Sequence, residues 1–339
     1  MHKFSYDFLL KNTINVDLFS LSNIITDLKS KIEFKKNTNK SLFTSLESIA
    51  IKESVEGSNA IEGIFTTEKR IKEIIENNSE PLSHSEEEIA GYHDAIKFVT
   101  DNYKNLSFNE EAIKHIHLLL VERHKGYKQG GRYKTEDNVI AEKYPDGTIK
   151  RVIFNPVPAS ETNQAMKDLC LAYQVARDDY SIPTLLLIPC VIVDFLSIHP
   201  FADGNGRVSR LLTLLLLYKS GFDIGKYVSI EKVINDNKGE YYDALYKSSI
   251  DWHENKNDYS YFILYMIRVI YRCYKLLDEN VFGMIDKKLT KSERIERILM
   301  NTFVPLSKQQ IMEQLPDVSE NLVETMLSKL ISEDKIIKI

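Results

Sequence analysis

Ser197-Ile198-His199-Pro200-Phe201-Ala202-Asp203-Gly204-Asn205-Gly206-Arg207-Val208-Ser209-Arg210 interrupts the most apolar part of a 339-residue chain. Before it, residues 185–198 are apolar apart from Pro189, Asp194 and Ser197. After it, Leu211, Leu212, Leu214, Leu215, Leu216 and Leu217 crowd into two turns. Both flanks read as buried helices, over 184–198 and 207–220, with Gly221 placed as the C-cap of the second. The first must stop at His199, because the residue ahead of a proline is pushed out of the α region. Gly204-Asn205-Gly206 tolerates positive φ and lets a ligand approach the backbone. A loop of this kind feeding a helix presents N–H groups without intrahelical partners, which suits phosphate oxygens.

The charges sharpen that reading. Arg207 and Arg210 lie three apart on one face of the first helical turn. Positive charge there opposes the helix dipole, at a cost of about 0.3–1 kcal/mol each, and a broken local rule is where function is expected. Two guanidinium groups beside loop amides make a receptor for a polyphosphate rather than for a single carboxylate. Asp203 among these donors would repel phosphate unless a cation such as Mg²⁺ bridged the two. His199 is the side chain of the loop that titrates near neutrality, and so the natural general base. The segment is neither a GxxxxGK[ST] P-loop nor a Rossmann fingerprint, since no strand precedes it and the third glycine is missing.

His199, Pro200, Phe201, Asp203, Gly204, Asn205, Gly206, Arg207 and Arg210 fill every defined position of HPFx[DE]GNGRxxR. The segment therefore resembles the Fic motif, and the similarity extends over about residues 40–250. The resemblance implies a protein adenylyltransferase that moves AMP from Mg·ATP to a Ser, Thr or Tyr hydroxyl of a protein, itself included. His199 would deprotonate that hydroxyl, and Asp203 would hold Mg²⁺ against the α- and β-phosphates. Gly204, Asn205 and Gly206 would form the anion hole. Arg207 would support the phosphates and the pyrophosphate, Arg210 would hold the γ-phosphate, and Phe201 would anchor the loop in the core. Gly131-Arg132-Tyr133-Lys134 and residues 153–158 are similar to the family's flap hairpin. There Val139, Ile140, Val152 and Ile153 would clamp an extended target segment by strand addition. Tyr241 and Tyr242 resemble tyrosines near the adenine, with aromatic packing in a helix as the equal alternative.

Upstream, Ser58-Asn59-Ala60-Ile61-Glu62-Gly63 resembles the family's inhibitory signature [ST]xxxE[GN]. Ser58 and Glu62, four apart, share a helix face. A Glu62 carboxylate on Arg210 would take the guanidinium that the γ-phosphate needs. Glu56-Gly57 does not qualify, because Lys52 stands where Ser or Thr is required. In some relatives the same glutamate assists removal of AMP. Three alternatives stay open: AMP removal, another donor, and a nucleotide-sensing DNA-binding regulator.

Around this centre the chain reads as mainly α: a Fic helical core with a β-hairpin flap, plus a C-terminal winged helix-turn-helix. Helical texture covers 17–80, 84–102, 107–122, 161–177 and 261–277. Two β-prone runs around Pro145-Asp146-Gly147 read as the hairpin. Three helices at 292–301, 307–314 and 319–332, with Ile336, Ile337 and Ile339 as a closing strand, follow a winged-helix order. The expected domains are 1–105 with the inhibitory helix, 106–285 as the catalytic domain and 290–339 as the winged-helix-like domain. Helix 319–332 carries Glu320 and Glu324 against a single basic residue, Lys329, which favours protein contact over DNA.

His115 and His117, two apart on a helix, point in different directions, so with His124 nearby they still make no metal site. A net charge of −5 gives no whole-molecule attraction for nucleic acid or anionic membrane. Cys170, Cys190 and Cys273 form no CxxC pair, which fits a reducing compartment. Without a leader pattern or a span of sufficient length, the expected location is cytoplasmic, with no membrane partner. The family resemblance adds a homodimer as the expected assembly.

Overall fold

The structure, a computed structural model, describes residues 2–11, 16–127, 129–144, 148–179, 181–288, 290–301, 306–333 and 335–336. The chain divides into two units, Met1–Leu276 and Leu277–Ile339. The first begins with α1 (Phe8–Lys11), α2 (Val16–Thr38), α3 (Lys40–Ile61), α4 (Glu68–Asn77), α5 (His84–Asn102) and α6 (Glu110–Val121). A hairpin of β1 (Ile140–Lys143) and β2 (Ile149–Phe154) precedes α7 (Ala159–Asp178), α8 (Thr184–Ile198) and α9 (Asn205–Lys219). Then come α10 (Ile230–Asp236), α11 (Lys238–Ser249) and α12 (Ser260–Lys288), followed by α13 (Lys291–Asn301), α14 (Lys308–Gln314) and α15 (Glu320–Ser332).

The leucine-rich helix is the centre of the first unit. Residues Val208 to Tyr218 of α9 are buried, and α9 packs on α3, α5, α6 and α8. Each fully buried Leu stabilises by about 1.5–3 kcal/mol, enough to seat a helix whose first turn holds two cations. Its neighbour α8 is buried on nearly every face and is flanked by α7. The one acid in α8, Asp194, has 0% exposure and accepts from Tyr6 Oη at 2.7 Å, Tyr259 Oη at 2.6 Å and Trp252 Nε1 at 2.8 Å. A buried carboxylate survives in an apolar helix because its oxygens are satisfied.

Helix starts follow side-chain chemistry. Ser83 Oγ accepts from Glu86 N to open α5, and Asn109 Oδ1 accepts from Ala112 N to open α6. Such caps contribute about 1 kcal/mol each. The Asn109 cap is why the helix expected from residue 107 starts at Glu110. The helix expected over 261–277 continues to Lys288. Close approaches are set by glycine: a Cβ on Gly91 would stand 2.0 Å from Leu120 O, and one on Gly57 would stand 2.7 Å from Lys232 N. Thus α5 meets α6, and α3 meets α10, at backbone distance.

The hairpin is antiparallel, pairing Ile140 with Phe154 and Ala141 with Val152, with register irregularities at Ile140/Ala141 and Glu142/Lys143. The Pro145-Asp146-Gly147 turn lies outside the described residues. In the second unit, Ile295, Ile311, Leu315, Val318, Val323 and Leu330 form the core under α13, α14 and α15. Ser307 and Gln310 make a reciprocal capping box on α14. Glu320 and Glu324 of α15 both pair with Lys308 of α14, at 2.6 and 2.7 Å. Of the expected closing strand, Ile336 sits in a bend, and Ile337 and Ile339 lie outside the described residues. Among the described residues no helix is long and apolar enough to cross a membrane. All three cysteines are buried and unpaired.

Candidate active site

α8 ends where the sequence requires. His199 caps it in the left-handed region, φ 51°, with its N–H donating to Phe195 O at 2.9 Å. A non-glycine residue holds that conformation only when its surroundings enforce it. Here Phe201, at 0% exposure, stacks on His117 with ring centroids 3.8 Å apart. The Asn205 amide then closes the loop on itself, accepting from Phe201 N at 2.9 Å and donating to Phe201 O at 2.7 Å. Gly204, φ 79°, turns the chain into α9, which begins two residues earlier than expected. Asn205 thus opens α9 with its backbone while its side chain braces the loop.

A second brace was not legible in the sequence. Lys134 donates its N–H to Pro200 O at 2.8 Å and its Nζ to Ile198 O at 3.2 Å and Asn138 Oδ1 at 2.7 Å. Asn138 Nδ2 donates to Phe201 O at 3.1 Å. Burial lowers the Lys134 ammonium pKa to about 8. The Gly-Arg-Tyr-Lys segment therefore staples the loop from beneath as well as leading into the hairpin.

The loop forms one wall of a cavity of about 910 Å³, within the range of ligand sites. His199, Asp203, Gly204, Gly206, Arg207 and Arg210 line it, with Tyr241 and Tyr242 from α11 and Ile140 and Ile153 from the hairpin. His199 Nδ1 faces Leu196 O at 3.2 Å, which favours the tautomer with Nδ1 protonated and Nε2 free to accept a proton. Burial pushes the His199 pKa down to about 4, so the imidazole is neutral at pH 7.

The two arginines meet different partners. Arg210, 3% exposed, donates Nε to Ser58 Oγ at 2.8 Å and Nη2 to Ser58 O at 3.0 Å and Glu62 Oε1 at 2.8 Å. Burial opposes its charge, but Glu62, Tyr241 and Tyr92 outweigh that and raise its pKa. Arg207, also 3% exposed, donates Nη2 to Glu88 Oε1 at 3.2 Å and lies 3.6 Å from Asp203 Oδ2. Its Nε and Nη1 are buried without a hydrogen-bond partner among the described residues. Orphaned guanidinium donors beside a cavity fit an anionic ligand. Asp203 is exposed at the rim, where an oxygen ligand could reach a phosphate-bound cation. Gly206 matters sterically: a Cβ there would stand 2.4 Å from Glu62 Oε1.

Tyr241 is 3% exposed and packs against Phe262, Tyr265 and Tyr242, so packing and the cavity wall share it. Tyr242 is exposed and its hydroxyl reaches Ile61 O at 3.5 Å. In the hairpin, Val139 and Val152 face solvent while Ile140 and Ile153 face the cavity. The structure thus gathers Glu62, His199, Asp203, Gly204, Asn205, Gly206, Arg207 and Arg210 around one space, with Ser58 and Phe201 buried behind them. It adds Glu88 and Lys134, whose only sequence signals were a charge in a helix and a short flap-like tetrapeptide.

Residues 107–217 match the Fic/DOC family model. Over 172 residues the chain is 26% identical to the protein adenylyltransferase Fic of Nematostella vectensis, covering 49% of this chain and 37% of that protein. Over 81 residues it is 36% identical to a Fido domain-containing protein of Dictyostelium discoideum, covering 24% of this chain and 52% of that one. The chain thus spans about half the length, or less, of these curated relatives. Among solved structures it is similar to a Fic family protein of Desulfovibrio desulfuricans G20, with TM-score 0.64, 20% identity, and coverage of 95% and 91% of the two chains. A Fic domain containing signaling protein of Bacteroides thetaiotaomicron VPI-5482 gives TM-score 0.65 at 20% identity, covering 77% of this chain and 97% of that one. At such identities these two share the fold.

Proposed function

Because the chain carries a Fic/DOC family domain, we propose that it is a protein adenylyltransferase, transferring AMP from Mg·ATP to a hydroxyl side chain of a protein and restrained by Glu62. The observation that carries this reading is the convergence of a neutral imidazole, two buried guanidinium groups and a helix N-terminus on one cavity. His199 Nε2 takes the proton of the target hydroxyl as its oxygen bonds to the α-phosphorus. The bond from that phosphorus to the bridging oxygen breaks and pyrophosphate leaves. The first-turn N–H groups of α9 and Arg207 hold the phosphates. Asp203 would hold the Mg²⁺ that arrives with ATP, which neutralises phosphate charge. Tyr241 and Tyr242 lie where a base could rest, and the exposed edge of the hairpin suits an extended target segment.

Glu62 restrains this site by occupying Arg210 Nη2, the donor assigned to the terminal phosphate. Without that clamp the triphosphate has no fixed register and its α-phosphorus no fixed line of attack. The test is mass spectrometry of the Glu62→Gly protein, folded as judged by circular dichroism, after incubation with Mg·ATP. An AMP adduct on the protein is expected, and its rate should fall about 10²–10⁴-fold in Glu62→Gly/His199→Ala. Absence of any adduct on the chain or on added lysate protein would sink the proposal.

A further inference from the structure

The start of α5 faces the segment just after α6, at the edge of the cavity that Glu88 also lines. His84 opens α5 and Glu88 follows one turn later, so both occupy the same face. His124 lies just beyond α6. One ligating atom from each of the three lies within 4.8 Å of the others, and the two imidazole rings are 4.5 Å apart. His124 is 7% exposed, and its buried Nε2 makes no hydrogen bond among the described residues while facing Glu88 Oε1 at 3.5 Å. A buried nitrogen left without a hydrogen bond is costly, so its persistence points to a ligand. His84 Nδ1 lies 3.6 Å from Glu87 Oε2, and Glu87 is in turn held by the Lys125 N–H at 3.4 Å. That carboxylate can orient the ring and leave Nε2 for an ion, as partners of metal-bound histidines do.

We infer that His84, Glu88 and His124 bind one divalent transition-metal ion of the Zn²⁺ class through two imidazole nitrogens and a carboxylate oxygen. This donor set suits Zn²⁺ and its borderline neighbours, whereas Mg²⁺ and Ca²⁺ prefer oxygen alone. The site is therefore chemically distinct from Asp203. It also borders the nucleotide cavity, which Glu88 lines, and Glu88 Oε1 is the acceptor for Arg207 Nη2 at 3.2 Å. An ion on Glu88 competes with Arg207 for that oxygen and so releases a guanidinium toward the phosphates.

The test uses the full chain stripped by a chelator and titrated with Zn²⁺ against a chromophoric competitor. One tight ion per chain is expected. His84→Ala removes an exposed side chain and should leave the fold intact, yet it should weaken binding by more than Glu87→Gln does. Loss of the orienting Glu87 carboxylate should cost about 10–100-fold. His199→Ala and Asp203→Ala should keep the tight ion. Co²⁺ added to the unmutated protein should give the strong visible bands of a four-coordinate site, a readout that needs no variant. Zn²⁺ binding that is no tighter than in His84→Ala, or that disappears with His199→Ala or Asp203→Ala instead, overturns the proposal.

Discussion

Arg210 gives three of its five N–H donors to Ser58 and Glu62. Its Nε and one Nη2 bond are spent on Ser58, and the remaining direction of Nη2 goes to Glu62 at 2.8 Å. On the function proposed above, a γ-phosphate would compete with the Glu62 carboxylate for this guanidinium. Glu62→Gln keeps the shape and removes the charge. It should raise the rate of labelled-AMP incorporation above that of the unmutated chain, by less than Glu62→Gly, and an unchanged rate for both would remove the brake. His199 adds a pH signature. Its pKa is lowered to about 4 by burial, and the neutral form is the one that accepts the proton. The Glu62→Gly rate should therefore stay level as pH falls from 8 to about 5 and decline only as pH approaches 4. Half the activity gone by about pH 6.5 would mean a solvated imidazole. The loop residues were legible because their chemistry is local: charge, ring and positive φ lie within one turn of chain. Lys134 and Glu88 were not, since they bond to the loop across 64 and 119 residues.

Among the elements, α3 is the one whose position sets Glu62. It docks on α10 at Gly57, where a Cβ would stand 2.7 Å from Lys232 N and 2.9 Å from Glu231 C, both main-chain atoms that cannot swing aside. Gly57→Ala must therefore lift α3, at a cost of about 1–3 kcal/mol from overpacking. Ser58 is the next residue and Glu62 the C-cap of the same helix, so the lift should loosen both contacts to Arg210. The expected outcome is a lower Tm together with faster AMP incorporation at a temperature where the protein is folded. A lower Tm with no gain in rate would uncouple the brake from helix docking. Helix boundaries were readable where Ser83, Asn109 and Ser307 cap them. The backbone-to-backbone seating of α3 was not, because a glycine in a helix looks the same in sequence whether it faces solvent or another main chain.

For the whole molecule, buried histidines tie stability to acid. His117, 0% exposed and stacked on Phe201, has its pKa lowered from 6.5 to about 4 by burial. Between those values the unfolded chain binds the proton and the folded one does not, so stability falls as pH drops from 6.5 towards 4. Over that window His117 alone contributes a loss of about 3 kcal/mol. His117→Phe keeps a ring against Phe201, loses the acceptor for Gly131 N, and should flatten this acid slope in denaturant titrations at pH 7 and pH 4.5. An unchanged slope would place the titration elsewhere. By itself the sequence determined the apolar helix pair, the donor-rich turn between them and the four-residue spacing of Ser58 and Glu62, because each depends on spacing within a few residues. The Arg210–Glu62 contact was expected from the resemblance and is present; only the tertiary structure decided that Arg207 is shared with Glu88 and that His84 and His124 face one carboxylate. Those outcomes depend on how whole helices pack, and packing is fixed by volume and close backbone approach between segments far apart in the chain.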